Sequence, residues 1–195
     1  MKYFVLIALI NFGIGNLNAQ SDTAFLKVLE ARIKEIQPEY TVNYSDLPFD
    51  DFEQIFPNEK LRLRFTDGQK EYIHLTNNEK SKIISKLKSA LKLRLPDSLL
   101  NNSKRFLRDS IADHVEKLNK QVSDSIAKQR NLNYSIYVRR YWSFSFSLPI
   151  YLRNKTVMVF YYSYYDTSSG MSWLEVRMKS GAKWTRAGGM FLAAW

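Results

Sequence analysis

The stretch that decides the fold is WSFSFSLPIYLRNKTVMVFYYSYY, which occupies residues 142–165. In its first half every second residue is apolar, which predicts a β-strand with one apolar face. That face carries Trp142, Phe144, Phe146, Leu148 and Ile150. Its second half, Thr156 to Tyr165, is apolar on both faces, which is typical of a strand in the centre of a sheet. Twelve of the chain's 28 aromatic residues lie between Tyr134 and Tyr165, so we expect the core here.

The strands that follow are joined by short turns, which favours an antiparallel meander. Residues 166–170 and 180–183 have turn composition, and they separate the strands 171–179 and 184–195. Gly188 and Gly189 predict a bulge or bend in the last strand. We therefore expect residues 157–165 to be hydrogen-bonded on both sides, between residues 142–151 and 171–179.

Side-chain alternation in the strand 171–179 predicts one core face and one polar face. Leu174, Val176 and Met178 form the apolar row, and Glu175, Arg177 and Lys179 form the other. On this basis, replacing Glu175 or Arg177 by Asp should cost about 1 kcal/mol or less. Replacing Val159 or Phe160 by Asp in the central strand should cost several kcal/mol, because either charge would be buried without a partner.

Helix signals dominate the first two thirds of the chain. A first helix is predicted from a cap at Ser21 or Asp22 to Pro38, and a capping box at Thr76–Glu79 starts a second that closes by Pro96. A longer helix is predicted from about Ser103 to Gln129. We expect its apolar seam to pack on the sheet or on the preceding helix. The seam consists of Leu107, Ile111, Val115, Leu118, Val122 and Ile126.

Two shorter β signals lie between these helices. Tyr40, Val42 and Tyr44 alternate as in a short strand. Residues 61–65 and 73–75 alternate on either side of Asp67-Gly68, which is the signature of a β-hairpin. The sequence as a whole predicts one α+β domain over residues 20–195, with N-terminal helices packed on a C-terminal antiparallel meander.

The first 19 residues have the pattern of a signal peptide. Lys2 supplies the positive charge, residues 3–14 are largely apolar, and a cleavage site is expected between Ala19 and Gln20. The alternative is an uncleaved anchor, but the apolar run is shorter than the roughly 20 residues that span a bilayer. We expect export to the periplasm or the extracellular space, with no transmembrane helix in the mature chain.

The mature chain of 176 residues would carry a net charge of +9, since Lys2 is the one charged residue removed from a chain of charge +10. Such an excess favours weak contact with anionic surfaces. The chain contains no cysteine, which excludes disulfides and thiolate–metal sites. We expect no specific binding of nucleic acid.

The sequence does not contain a recognisable catalytic or metal-binding motif. The two histidines, His74 and His114, are expected to be ordinary half-exposed residues, and no G-x-S-x-G, H-E-x-x-H or glycine-rich phosphate loop occurs. Asp46, Asp50, Asp51 and Glu53 lack the glycine of a calcium loop. We assign no catalytic, cofactor-binding or metal-ligating residue and expect no cofactor. Asp50, Asp51 and Glu53 leave open a carboxylate-dependent hydrolase.

Two further patterns suggest binding surfaces. The second predicted helix could lie on an anionic membrane, or its basic face could simply be solvated. The basic residues along it are Lys80, Lys82, Lys86, Lys88, Lys92 and Arg94. Tyr162 and Tyr164 could stack on sugars or bases if they prove exposed, although aromatic residues in strands usually belong to the core.

The C-terminal third of the chain contains several short motifs in a characteristic order. Residues 147–150, the turn at 154–156, the Tyr-rich strand 161–165 and the pair Lys183-Trp184 form an ordered set. This set resembles a loose group of small exported bacterial proteins without assigned activity. In that group the turn after the Tyr-rich strand often contains Cys and Gly, whereas this chain has residues 166–170 there and no cysteine. The resemblance implies an exported α+β protein and assigns no catalytic residue.

The order of elements, with helices ahead of a curved meander, is also similar to that of cystatin-like and NTF2-like domains. The sequence thus favours a non-enzymatic binding or interaction domain of the cell envelope or the extracellular space. The alternatives are the hydrolase and a polyanion or membrane-surface binder that uses residues 80–94.

Overall fold

The computed structural model describes residues 22–38, 41–45, 60–64, 70–93, 95–97, 99–134, 136, 141–166 and 169–194. The helices among them are α1 (Thr23–Ile36), α2 (Asn77–Ala90) and α3 (Arg108–Gln129). The strands are β1 (Val42–Ser45), β2 (Lys60–Arg64), β3 (Lys70–His74), β4 (Ser103–Arg105), β5 (Ser143–Phe146), β6 (Ile150–Leu152), β7 (Val157–Tyr165), β8 (Gly170–Ser180) and β9 (Lys183–Ala194).

The strands form a mixed sheet in the order β4-β1-β5-β7-β8-β9, in which β6 also pairs with β7. The expected α+β class is confirmed. β7 is hydrogen-bonded to β8 along one edge and to β5 and β6 along the other, so its predicted central position is confirmed as well. β5 to β9 form the predicted antiparallel meander, and β2 pairs with β3 as the predicted hairpin.

The meander is only part of the sheet, because β1 pairs in parallel with both β5 and β4. Residues 103–105 therefore belong to a strand, and the prediction that the third helix begins near Ser103 is wrong. The backbone explains the difference: Val42 donates its N–H to the carbonyl of Asn102, and Phe106 donates to the carbonyl of Tyr44. These long-range bonds extend the segment, and α3 begins only at Arg108.

The predicted strand 142–151 is interrupted at residues 147–149, which separate β5 from β6. At the break, Ser147 donates its N–H to the carbonyl of Tyr161, and its hydroxyl accepts the N–H of the same residue. A side-chain oxygen thus takes the place of a backbone carbonyl. Pro149 lacks the N–H that a continuous ladder needs.

Each face of the sheet is covered by its own layer. α1 packs on the face that carries Phe144, Phe146, Met158 and Phe160, and we call this face the α1 side. α2 and β3 pack on the opposite face, the α2 side, whose apolar residues come from β6, β7, β8 and β9. Because both faces are covered, seven consecutive residues of β7, from Val157 to Ser163, are buried.

α3 lies against β1 and β5. Its buried residues follow a spacing of four that is partly polar: Ile111, Val115, Asn119 and Ser123. The predicted apolar seam is therefore only half correct, since Leu107 is 70% exposed and precedes the helix. Asn119 is stable in this position because its side-chain amide donates to the carbonyl of Tyr141 and accepts the N–H of the same residue.

The local signals near the other helix ends are confirmed. Asp22 caps α1 by accepting the N–H of Phe25, and Thr76 and Glu79 form the capping box of α2. A bulge interrupts the pairing of β8 with β9, where Ala187 is the extra residue beside Gly188, whose φ of 143° favours glycine. The signal segment, residues 46–59 and the hairpin turn at 66–69 lie outside the described residues.

Candidate functional site

The feature that stands out chemically is a buried carboxylate in the middle of β8. Glu175 is completely buried on the α1 side, between Phe160 of β7 and Gly189 of β9 in the strand register. Its Oε1 accepts a hydrogen bond from Nε of Arg177 at 2.5 Å. Its Oε2 lies 3.5 Å from Nε of Arg32 and 4.0 Å from Nε of Arg186. Three guanidinium groups thus converge on one carboxylate.

Arg32 joins this group from α1. Its Nε and Nη2 donate to the phenol oxygen of Tyr162 at 2.9 and 2.6 Å, and its Nη1 donates to Glu35. Burial by itself would lower the pKa of Arg32, but Tyr162, Glu35 and Glu175 raise it above its ordinary value. Burial raises the pKa of Tyr162 to about 12, against the opposing effect of Arg32. At neutral pH Arg32 is therefore charged and Tyr162 is a neutral phenol.

Arg177 and Arg186 are direct cross-strand partners in β8 and β9. Like charges at such positions repel each other, because opposite residues lie only about 5 Å apart. The side chain of Arg177 is 13% exposed and that of Arg186 is 34% exposed. Glu175 is the partner of both, and their remaining N–H groups have no acceptor among the described residues. We call Arg32, Arg177 and Arg186 the arginine cluster.

The strand register extends this site into a patch with aromatic residues at both ends. One step beyond the two arginines, Trp184 lies opposite Lys179, and two steps the other way Phe191 lies opposite Trp173. Trp173 and Phe191 contact each other edge to face with ring centres 5.1 Å apart, and Phe191 is 44% exposed. Gly189 lies between the arginines and this aromatic pair. A Cβ there would be 3.3 Å from the carbonyl of Leu174, so a side chain would crowd the backbone.

A pocket of about 250 Å³ lies beside the C-terminal end of α1. Ile33, Val42 and Leu100 line it, together with Gln37. The amide of Gln37 is already committed, since it donates to the carbonyl of Thr41 and accepts the N–H of Trp142. Because the pocket has fewer charged groups available to a ligand, the arginine cluster is the stronger candidate.

The histidines remain apart from this site. His74 is exposed at the end of β3, and His114 stacks on Phe106 with ring centres 4.3 Å apart. Burial together with Lys104 and Lys117 lowers the pKa of His114. No group of three or more histidine or acidic side chains among the described residues could hold a metal ion. The carboxylates Asp46, Asp50, Asp51 and Glu53 lie outside the described residues.

The two candidate binding surfaces from the sequence have different outcomes. The apolar face of α2 is occupied, because Ile83 and Leu87 are completely buried in the core, while Lys82, Lys86 and Lys92 are exposed. Arg94 lies outside the described residues. Tyr162 is only 3% exposed and belongs to the core. Tyr164 is partly buried and donates its hydroxyl to the sulfur of Met171.

Sequence reasoning missed the arginine cluster because Glu175 and Arg177 alternate with apolar residues, as solvent-facing residues do. The placement of Glu175 on a solvent-facing row is wrong, since α1 and the arginines cover it. The Gly188-Gly189 pair was the available signal for a close contact at this point. Arg32 could not be connected with Glu175, because 143 positions separate them in the chain.

No family model, curated protein or solved structure matches the chain. The resemblance to small exported bacterial proteins therefore stays a prediction. Among the described helices, none is long and apolar enough to cross a bilayer.

Proposed function

We propose that this chain is an exported, non-enzymatic binding domain of the cell envelope or the extracellular space, and that it binds an anionic group of its ligand at the arginine cluster. The observation that carries the proposal is the imbalance of charge at the site. Three guanidinium groups surround a single buried carboxylate, and an excess of positive charge remains even when the exposed Glu35 is counted.

An anion fits this imbalance for two physical reasons. Arginine presents a planar set of N–H donors that binds carboxylate or phosphate through two parallel hydrogen bonds. Arg177 and Arg186 repel each other across β8 and β9, and an anion between them would relieve that repulsion. Glu175 holds the guanidinium group of Arg177 through a hydrogen bond, which limits the conformational entropy that this side chain loses on binding, and it lies 4.0 Å from Nε of Arg186.

The same geometry favours binding over catalysis. A general base must be able to take up a proton near the working pH and must reach the substrate. Glu175 is enclosed by cations and is completely buried, and the oxygen of Tyr162 already accepts two hydrogen bonds from Arg32. With a pKa of about 12, Tyr162 stays protonated at physiological pH and is a poor base.

Export is supported by the N-terminal signal pattern and by the net charge of the mature chain, which suits an environment of anionic polymers. The helix α2 could add weak electrostatic contact through its exposed lysines. It is a poor candidate for insertion at a membrane interface, because Ile83 and Leu87 are already buried in the core.

Titration with inorganic phosphate, followed by calorimetry and by the NMR signals of the arginine Nε–H groups, tests this proposal. We expect saturable binding that weakens as salt rises. Arg186→Gln should reduce the affinity about tenfold or more, since a charge-assisted hydrogen bond contributes about 1.5–3 kcal/mol. Arg186→Lys should restore part of it.

The matched control is Lys183→Gln, which removes the same charge from an exposed position near the β8–β9 turn. Lys86→Gln makes the same change on α2. Both should alter the affinity less than about twofold, because a general effect of net charge is spread over the molecule. Equal losses in all three variants, or the absence of saturable binding, would refute a phosphate site at the arginine cluster.

A further inference from the structure

The pocket of about 250 Å³ beside the C-terminal end of α1 is a site separate from the arginine cluster. One of its walls is a single stripe of α1 and its C-cap, formed by Glu30, Ile33, Lys34 and Gln37. These residues are three or four positions apart, so they lie on one side of the helix. Arg32 is two positions from Glu30 and therefore points to a different side of α1.

The opposite wall of the pocket is held in place by hydrogen bonds. It consists of Val42 at the start of β1 and the turn that precedes β4. Val42 donates its N–H to the carbonyl of Asn102 at 2.9 Å, and the side-chain oxygen of Asn102 accepts the hydroxyl of Thr41. The hydroxyl of Ser103 donates to the carbonyl of Leu100 and accepts the N–H of the same residue. The wall is thus formed in the absence of a ligand, which reduces the entropy that binding costs.

The pocket combines an apolar inner surface with two charged groups. Ile33, Val42 and Leu100 are all buried, whereas Glu30 is half-buried and Lys34 is exposed. A glutamate and a lysine four positions apart on a helix often form an ion pair. In the part of the chain that the structure describes, however, neither Glu30 nor Lys34 has an ion-pair or hydrogen-bond partner. Both charges are therefore available to a ligand.

We propose that this pocket binds a free α-amino acid with an aliphatic side chain of about the size of leucine. The ammonium group of the ligand pairs with Glu30, its carboxylate pairs with Lys34, and its side chain packs on Ile33, Val42 and Leu100. An amino acid carries both of its charges on one carbon atom. It therefore matches two residues whose Cβ atoms are only about 5–6 Å apart on the helix.

The size and the charges of the pocket argue against other ligands. Its volume equals that of about eight water molecules in the liquid, which is below the range of about 300–1,000 Å³ for drug-sized ligands. An aliphatic acid would pair with Lys34 but would be repelled by Glu30, and an aliphatic amine would have the reverse problem. A peptide separates its terminal charges by at least one further residue, so it cannot place both of them within one turn of α1.

The test measures binding of L-leucine to the full folded chain by calorimetry and by NMR signals of the backbone amides. Glycine lacks the aliphatic side chain, 3-methylbutylamine lacks the carboxylate, and 4-methylpentanoate lacks the ammonium group. Leucylglycine separates the two charges. We expect saturable binding of leucine and an affinity about tenfold lower or worse for each of the other four, since each loses a charged or apolar contact.

Two substitutions assign the charges of the ligand to the pocket. Glu30→Gln should weaken the binding of leucine about tenfold and should not weaken that of 4-methylpentanoate, which has no ammonium group. Lys34→Gln should likewise weaken leucine about tenfold and should not weaken 3-methylbutylamine. Lys120→Gln is the matched control, because Lys120 is an exposed lysine of α3 that does not line the pocket. It should change the affinity for leucine less than about twofold.

The absence of saturable leucine binding would refute the inference, and so would equal binding of glycine or equal losses in Lys34→Gln and Lys120→Gln. Tighter binding of leucylglycine would also refute it and would make the ligand a peptide. All three variants should leave the affinity for inorganic phosphate within about twofold, because Arg32 faces another side of α1. If leucine binds and phosphate does not, the anion site at the arginine cluster is wrong and the amino-acid pocket stands.

Discussion

Phe160 and Glu175 are neighbours in the sheet and opposites in chemistry. They face each other across β7 and β8 on the α1 side, and both are completely buried. Phe160 lies where the apolar pattern of its strand predicts, packed edge to face on Phe25 of α1 at 5.3 Å. Glu175 belongs to the polar row of its strand, which the sequence predicts to face solvent, yet it is buried. The difference shows that a polar row indicates a surface only when no other element supplies partners for it.

The partners of Glu175 come from three different elements. Arg177 is two residues away on β8, Arg186 is on β9, and Arg32 is on α1. A charge can be buried when opposite charges and hydrogen bonds compensate for the loss of water, whereas an apolar side chain needs only close packing. The burial of Phe160 thus depends on close packing, whereas the burial of Glu175 depends on the positions of three cations, two of which lie on other elements.

We expect the largest effect when a charge is introduced among the buried apolar residues of β7. Phe160→Asp, or Val159→Asp on the opposite face of β7, buries a charge among apolar groups in the centre of the sheet. Either change should destabilise the protein by several kcal/mol, a large part of the 5–15 kcal/mol that holds a typical domain. Urea unfolding followed by tryptophan fluorescence measures this. A midpoint near that of the wild type would show that β7 does not organise the core.

The second effect concerns the charged side. Glu175→Gln keeps the shape of the side chain but leaves the arginine cluster without its buried counter-charge. We expect a destabilisation of about 3 kcal/mol, in place of the 1 kcal/mol or less that follows from a solvent-facing position. Adding Arg186→Gln to this variant should recover part of the loss, which a double-mutant cycle in urea would detect.

Glu35→Gln is the control for this experiment, since Glu35 also binds Arg32 but its side chain is 59% exposed. Its removal should change the free energy of unfolding by about 1 kcal/mol or less. If Glu175→Gln proves as mild as Glu35→Gln, the buried carboxylate does not hold the cluster together.

We expect the smallest effect for Glu79, a peripheral carboxylate that contrasts with the buried Glu175. Glu79 accepts hydrogen bonds from Arg153 at 2.8 and 3.3 Å, and the pKa of Glu79 is lowered mainly by this contact. Because the unfolded carboxyl binds its proton at higher pH than the folded one, the stabilisation is present above the ordinary pKa. It is lost as the pH falls through the lowered value.

Glu79→Gln should therefore lower the melting temperature by about 1–3 °C at pH 7. The difference from the wild type should shrink as the pH falls below the ordinary carboxyl range. Thermal unfolding followed by circular dichroism from pH 7 to pH 3 measures the difference. A gap that stays constant or widens in acid would show that the Arg153 contact does not act through the charge of Glu79.

Several parts of the fold could be predicted from the sequence alone because they depend on neighbouring residues. The capping box at Thr76–Glu79 satisfies backbone groups within one turn of helix, and the bulge beside Gly188 uses a backbone angle that glycine adopts easily. The two-faced apolarity of residues 157–165 likewise placed β7 in the centre of the sheet. In each case the cause and its effect lie within a few residues of each other.

The tertiary structure alone decided the parallel pairing of β1 with β4 and β5, and it alone assembled the candidate site. The sequence predicts that a helix starts at Ser103–Arg105. In the structure this segment is a strand, because β1, 61 positions away, supplies its backbone hydrogen-bond partners. The sequence predicts that Glu175 and Arg177 are surface residues, but Arg32 of α1 reaches Glu175 and helps to bury it. The physical reason is that a strand edge is stabilised by the backbone groups of its neighbouring strand, and a buried charge by the opposite charges around it. That placement depends on how distant segments pack and cannot be deduced from the local pattern.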